Sequence, residues 1–213
     1  MTAEFWDQRY ADRGYLYGVE PNAFLVRQRH RLDRGLSVLA VADGEGRNGV
    51  WLAGQGMRVH AVDLSPVALQ KAMKLALDRG VTLRTTCADL TAWDWPEAQY
   101  DAVACLFLHL RPDARRIVHR AMARALVPGG VLIQEAFHPD QIRHGTGGPP
   151  DAEMLYDPET LAADYDGLLE IDLLDHGEID LDEGRHHQGR AHTTRLVGRR
   201  LSPSADRPAE AAG

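Results

Sequence analysis

Short apolar runs alternate along this chain with segments whose apolar positions recur every three or four residues, which predicts strands alternating with helices. Ser37 to Ala42 reads as the first strand, Val59 to Asp63 as the second, Thr82 to Thr86 as the third, Tyr100 to Leu106 as a central one and Val131 to Phe137 as the fifth. Strands of this kind, apolar almost throughout, belong to a parallel sheet covered by helices on both faces. The helices between them have local causes at their ends. Asn22 caps one that runs to about Leu32, and Arg47 to Gln55 forms another, stopped by Gly56. Ser65 caps and Pro66 opens a helix over Val67 to Asp78, ended by Gly80, and Pro112 opens the next, which ends near Leu126 ahead of Pro128-Gly-Gly130. Beyond Phe137 the pattern changes. Leu168 to Leu174 and Thr193 to Val197, separated by the polar stretch Asp180 to Arg190, read as an antiparallel hairpin joined to the sheet edge. The tail 201–213, rich in Pro, Ala and Ser, is expected to be disordered.

Composition narrows the class. With 213 residues, 44% hydrophobic and 26% charged, the chain is long enough for one sizeable core and short for two, so residues 1–200 are expected to form one domain. A net charge of -7 lacks the clustered Lys and Arg of a nucleic-acid footprint, which argues against RNA and DNA partners. Cys87 and Cys105 lie in or beside predicted strands, with neither an apolar leader nor an apolar run of about 18 residues, so a reducing cytoplasm is expected and a membrane partner is not.

The chemistry concentrates in one strand-helix-strand unit. Val38-Leu-Ala-Val-Ala-Asp-Gly-Glu-Gly-Arg-Asn-Gly49 is followed, 19 residues after Gly44, by Asp63. Gly44, Gly46 and Gly49 satisfy the spacing of a dinucleotide-binding turn, with Asp63 in the place of a ribose-binding acid. Asp43 and Glu45 flank that turn, however, and a pyrophosphate docking at the next helix N-terminus would meet their charge. A sulfonium- and ammonium-bearing ligand would be attracted instead, which favours S-adenosylmethionine over NAD.

The loop resembles the first motif of the class I S-adenosylmethionine-dependent methyltransferases. Gly44-Glu-Gly-Arg-Asn-Gly49 leading into Trp51-Leu-Ala-Gly-Gln-Gly56 is most similar to their tellurite-resistance and thiopurine methyltransferase branch. Asp63-Leu-Ser-Pro-Val-Ala-Leu69, Cys87-Ala-Asp-Leu90, Tyr100 to Leu106 and Leu126 to Ile133 resemble the later motifs, so the likeness covers residues 36–137. One departure is that Ala42-Asp43-Gly44 replaces the usual Gly-Cys-Gly, leaving alanine to make the first turn. The resemblance implies an α/β, Rossmann-like, doubly wound sheet of seven strands in the order 3-2-1-4-5-7-6 ending in the antiparallel hairpin. It also implies a small-molecule methyl acceptor, such as a thiol or chalcogen oxyanion.

Candidate site residues follow. Asp63 can accept two bonds from ribose hydroxyls, its alternative being a turn or cap, and Asp89 can accept from the adenine amine while the Leu90 amide faces the ring, its alternative being an Asx turn. Asp43, Gly44, Glu45, Gly46, Asn48, Leu64, Cys105 and Leu106 complete the expected cofactor contacts. Five aromatics fall between Phe5 and Gly18; Phe5 and Trp6 suit burial at the sheet edge, whereas Tyr10, Tyr15 and Tyr17 suit a cover over a cationic cofactor, which the resemblance assigns to residues 1–35. His109, past the fourth strand, is the expected catalytic residue, with His138 and His187 as further proton acceptors and Arg47 and Arg111 as positive charge; a histidine bonded to a loop carbonyl is the alternative. In the resembled branch, basic and imidazole side chains near the C-terminal hairpin are associated with the substrate pocket, the region of Arg185, His186 and His187 here. The Gly-rich segments 138–150 and 183–190 are candidate lids. Four of ten histidines lie between His176 and His192, yet no ligand spacing has a supporting Cys or carboxylate set, so solvated loops and no metal are expected. A non-catalytic adenosylmethionine-binding module and a nicotinamide-dependent reductase remain the other readings.

Overall fold

The computed structural model describes residues 2–202. Residue 1 and residues 203–213 are outside it, and so is nearly all of the tail expected to be disordered. Helix α1 (Ala3–Tyr10) and the short α2 (Ala23–Arg27) precede β1 (Ser37–Val41), α3 (Arg47–Gly54), β2 (Arg58–Asp63), α4 (Pro66–Asp78) and β3 (Arg84–Cys87). There follow β4 (Tyr100–Leu106), α5 (Pro112–Ala125), β5 (Leu126–Phe137), α6 (Pro158–Tyr165) and the paired strands β6 (Leu169–Asp182) and β7 (Gln188–Arg200). The seven strands form one sheet in the order β3-β2-β1-β4-β5-β7-β6, parallel except that β7 runs antiparallel to both neighbours.

Strand alternation divides the core between two faces. Leu39, Val41, Val103, Cys105 and Leu132 pack with Val118, Met122, Tyr156 and Tyr165 on the side of α5 and α6. Val38, Ala40, Ala102, Ala104 and Ile133 pack with Phe24, Leu25 and Leu52 on the side of α2 and α3. Every strand residue of the centre therefore meets a covering layer, which is why these segments are apolar without alternation. No helix among the described residues is long and apolar enough to cross a membrane.

Several boundaries differ from the sequence expectation. The helix capped by Asn22 breaks after Arg27 into a 3-10 turn at Arg29–Arg31. The third strand is shifted to Arg84–Cys87, and α1 and α6 form where no helix was expected. The hairpin is much longer than its apolar runs: pairing continues out to Asp182 opposite Gln188, leaving only a tight tip. One face of that extension looks to solvent, so its polar residues disguised it as a loop. Phe5 and Trp6 do not bury at the sheet edge. They sit on α1 against α4, with Phe5 exposed and Trp6 stacked on Tyr10.

Candidate active site

The carboxyl ends of β1, β2 and β4 bring the glycine loop, Asp63 and the residues after Leu106 to one rim. Ala42 does make the first turn, in the left-handed region at φ 51°, a conformation that costs an L-residue about 1–2 kcal/mol. Gly44 donates its amide to Asp63 Oδ2 at 2.8 Å, and Ser65 donates to Oδ1 at 2.9 Å. Each oxygen keeps a second lone pair, so the carboxylate can still accept from a diol. Burial pushes its pKa above the ordinary carboxylate value, against the pull of those amides.

The two acids flanking the loop act differently from the sequence expectation. Asp43 turns back onto α3 and accepts the Gly49 amide with both oxygens, at 3.0 and 3.2 Å. It thereby occupies the helix N-terminus that a pyrophosphate would need, so phosphate is excluded by occupancy as well as by charge. Burial pushes Asp43 up to about 7. Glu45 points away from the loop, accepting the Leu16 amide at 2.6 Å and pairing with Lys71. Lys71 also donates to the carbonyls of Tyr10, Asp12 and Gly14. Together these two residues pin the N-terminal segment onto the loop, and the Tyr10 ring lies over Gly44.

Gly49 is matched to Asp43. A Cβ on Gly49 would stand 2.3 Å from Asp43 Oδ2, so this position, inside a helix, is kept bare by the carboxylate. We expect Gly49→Ala to destabilise the protein by about 1–2 kcal/mol through loss of the cap. In an Asp43→Ala background the same change should be neutral or stabilising, since alanine is the better helix former by about 1 kcal/mol. Urea denaturation of the four proteins of the cycle measures this, and equal effects in both backgrounds would contradict the pairing.

The remaining expected cofactor residues divide. Leu64 is half-buried beside Asp63, and Leu90 is buried with its carbonyl accepting from Trp95. Asp89 is exposed and forms the Asx turn, Oδ1 accepting the amide and hydroxyl of Thr91, which leaves Oδ2 for any ligand. Asn48 faces inward and accepts the Asn22 amide at 2.8 Å. The side chains of Cys105 and Leu106 lie in the two core layers, and burial holds the Cys105 thiol at about 12, so neither side chain lines the rim. Tyr15 packs against α4, its hydroxyl on the Lys71 carbonyl, and does not cover the loop.

His109 proves to be a scaffold residue. Its Nδ1 bonds the Met154 carbonyl at 2.9 Å and its Nε2 faces the Phe137 amide at 3.4 Å. Burial lowers its pKa to about 4. With both nitrogens occupied by backbone, it has none left for a substrate. Arg111 is likewise corrected: it is exposed and paired with Asp151 and Glu153. The ring that reaches the rim is His187, boxed by Tyr17, Phe107 and Phe137 at centroid distances of 4.6, 4.6 and 5.3 Å. Phe107 is held at φ 62°, an uncommon conformation for a bulky residue and costing roughly 1–3 kcal/mol, directly after β4.

Behind this box lies a buried polar network. Arg47 donates to Glu183 Oε2 at 2.7 Å, and the other oxygen of Glu183 accepts from the side chain of Asn22 and the amide of Ala23. Asn22 also donates to Glu135, which accepts from Thr193 and faces Arg195 at 3.3 Å. His187 Nδ1 stands 3.8 Å from Glu183. Arg47 Nη1 and His187 Nδ1 are buried without a hydrogen-bond partner. A cavity of about 200 Å³ adjoins the network beside Phe24, Glu135 and Glu183. The larger cleft, about 560 Å³, lies between α5 and α6 around Arg115 and Asp164, away from every loop end just described. Sequence reading missed Asn22, Glu135 and Glu183, whose partners are up to 161 positions away. Of the three hairpin residues, only His187 points inward; Arg185 and His186 are exposed, Arg185 facing Asp12.

The candidate lids are docked. A Cβ on Gly184, at φ 80°, would lie 2.5 Å from the backbone of Tyr17 and Gly18, so the hairpin tip and the N-terminal segment touch backbone to backbone. Segment 138–150 is held to the hairpin by Gln141, which accepts the His192 amide, and by Thr146, whose hydroxyl donates to the Arg190 carbonyl. Three of the histidines expected to lie in solvated loops converge. His138, His176 and His192 each bring a nitrogen within 4.8 Å of the others.

A profile of the methyltransferase domain family matches residues 38–130. The ubiquinone biosynthesis O-methyltransferase of Idiomarina loihiensis is 38% identical over 101 residues, 46% of this chain and 41% of that protein. The chain thus spans about two fifths of the length of the first curated relatives it matches. The thiopurine S-methyltransferase of Bordetella parapertussis is 27% identical over 223 residues, 93% of this chain and 98% of that one. Among solved structures, a protein described for the conversion of a disulfide bond into a thioacetal group during echinomycin biosynthesis superposes with TM-score 0.78 and 21% identity, covering 95% of this chain and 93% of that one.

Proposed function

We propose that this chain, which belongs to the class I S-adenosylmethionine-dependent methyltransferases, transfers a methyl group to the sulfur or chalcogen atom of a small anionic acceptor. When bound, S-adenosylmethionine supplies an electrophilic methyl carbon. Asp63 would hold the ribose hydroxyls, the Gly44 to Gly46 backbone would take the amino-acid end, and Asp89 Oδ2 with Leu90 would meet the adenine. Tyr10 and Tyr17 would close over the cation, a contact worth about 1 kcal/mol or more once water is excluded.

One observation carries the acceptor class: Arg47 and His187 present buried polar atoms without partners beside an aromatic wall. A guanidinium N–H in that setting favours an anion, and a soft anion needs no base. The two relatives whose matches extend along nearly their whole length are named for S-methylation, which supports the same reading. The relatives named for O-methylation match over too little of their length to speak for the acceptor pocket. The two cysteines are unpaired, in keeping with a reducing cytoplasm.

A panel of thiols and chalcogen oxyanions, followed through S-adenosylhomocysteine release, tests the proposal. Arg47→Gln should raise the acceptor's KM about tenfold with kcat little changed, and His187→Ala should cost little. The second reading, a neutral acceptor deprotonated by His187, rests on that ring's place in the box. It requires His187→Ala to lower kcat about a hundredfold. It also requires an acid limb below pH 6.5, because burial depresses the His187 pKa.

A further inference from the structure

We propose that His138, His176 and His192 form a binding site for a divalent transition-metal ion, zinc in the first instance, that clamps the hairpin to the segment following β5. The three residues come from separate elements: His138 immediately follows Phe137, His176 lies in β6 and His192 in β7. The hairpin register pairs His176 with Thr194 and Glu178 with His192, which puts the two histidines diagonally on one face. The β-sheet thus assembles ligands that are 16 and 38 or more positions apart along the chain.

The geometry fits imidazole coordination. His176 Nδ1 and His192 Nε2 are 3.0 Å apart. Two nitrogens placed tetrahedrally about 2.0–2.1 Å from zinc would be about 3.3 Å apart, so a few tenths of an ångström of separation admits the ion. The rings of His138 and His192 are stacked at 4.3 Å, and those of His138 and His176 at 4.7 Å.

Asp140 supplies the outer partner. Its Oδ2 stands 3.4 Å from His138 Nδ1 and 3.9 Å from His192 Nδ1. A carboxylate accepting from the Nδ1–H of both rings directs their Nε2 lone pairs to a common point, the arrangement that orients metal-bound histidines. His138 Nδ1 now accepts the Asp140 amide at 3.1 Å, so metal binding exchanges that bond for one to the Asp140 carboxylate. Three imidazoles leave one coordination position for water, and the donor set suits Zn²⁺, Cu²⁺ or Ni²⁺ over Mg²⁺ or Ca²⁺. Because Phe137, next to His138, stacks on His109 and packs on His187, the ion would stiffen the wall of the acceptor box from outside.

The test is titration of the untagged, EDTA-treated full-length chain with zinc ion by calorimetry. One ion per chain with a Kd in the micromolar range or tighter is expected, with a Tm rise of roughly 5–10 °C at a hundredfold excess over Kd. His176→Ala, at an exposed position, and His192→Gln should each weaken binding at least tenfold, Asp140→Asn about tenfold, and Cys87→Ser not at all. Cobalt(II) should give the visible bands of a tetrahedral site in the wild type and lose them in His176→Ala. Zinc binding weaker than about 1 mM, or equal affinity in the wild type and both histidine variants, would overturn the proposal and leave the trio as a ring-to-ring hydrogen bond.

Discussion

Asp164→Ala is expected to destabilise the protein by about 3–5 kcal/mol, because it strips the anion from a buried cation. Asp164 lies in α6 and is 2% exposed, with Arg115 Nε at 2.7 Å and His119 Nδ1 at 2.8 Å from one of its oxygens. His119 passes the chain of contacts to Gln134 at 3.0 Å, and Gln134 accepts from the Tyr165 hydroxyl at 2.6 Å. The network joins residues of α6, α5 and β5, so it fastens the two helices to the sheet. Differential scanning calorimetry should show a fall in Tm of roughly 10 °C or more. The pH dependence has a definite sign. Burial opposes ionisation of Asp164, but His119 and Arg115 outweigh it and hold the folded carboxyl below its ordinary value. The stability it contributes is therefore present above the unfolded carboxylate pKa and lost as pH falls through the folded one. His119 is also depressed, by burial. The unfolded chain thus takes up that proton first, and stability begins to decline below about pH 6.5. A Tm loss under about 2 °C would show that the α5–α6 contact does not depend on this ion pair.

Asp63→Ala should weaken S-adenosylmethionine binding ten- to hundredfold in calorimetry, or about 1–3 kcal/mol, since it removes a charged acceptor from the ribose and releases the Gly44 amide together. Asp63→Asn separates these effects. An amide oxygen can keep one of the two backbone bonds, so a loss of affinity in both variants points to the charge, whereas a loss in alanine alone points to the loop. Burial raises the Asp63 pKa, so affinity in the wild type should begin to fall above the usual carboxylate range as the buffer is acidified. Unchanged affinity in a folded Asp63→Ala protein would move the ribose site elsewhere.

What the sequence revealed best is what neighbours along the chain decide. The glycine turn, the Ser65 cap, Pro66 and the apolar strands are local, and together with the motif resemblance they anticipated the strand order. The position of Asp63, at the end of β2 beside the glycine turn, was legible because it follows from one strand-helix-strand unit. Side chains with several chemical uses were harder. Asp43 looked like charge for a cationic ligand and is a helix cap, a role visible only once the missing Cβ of Gly49 is seen beside it. His109 and His187 are indistinguishable as residue types; one meets the Met154 carbonyl 45 positions away and the other an aromatic box. The clustering of His138, His176 and His192 was not legible, because metal-ligand spacing in sequence presumes a loop or helix, and a hairpin register sets distances that spacing does not show.

Asn22 and Glu183 meet across 161 positions of sequence, and that separation orders events during synthesis. The residues expected to hold the cofactor, from Asp43 to Leu106, have all emerged from the ribosome while the hairpin tip is still unmade. At typical elongation rates of about 5–20 residues per second, several seconds pass before Glu183 can reach Arg47. Until then the nascent chain would have the segment proposed to hold the cofactor and no closed aromatic box, with Arg47 free of its carboxylate. Completion of the hairpin, and not the arrival of cofactor, would then be the step that closes the wall proposed to face the acceptor.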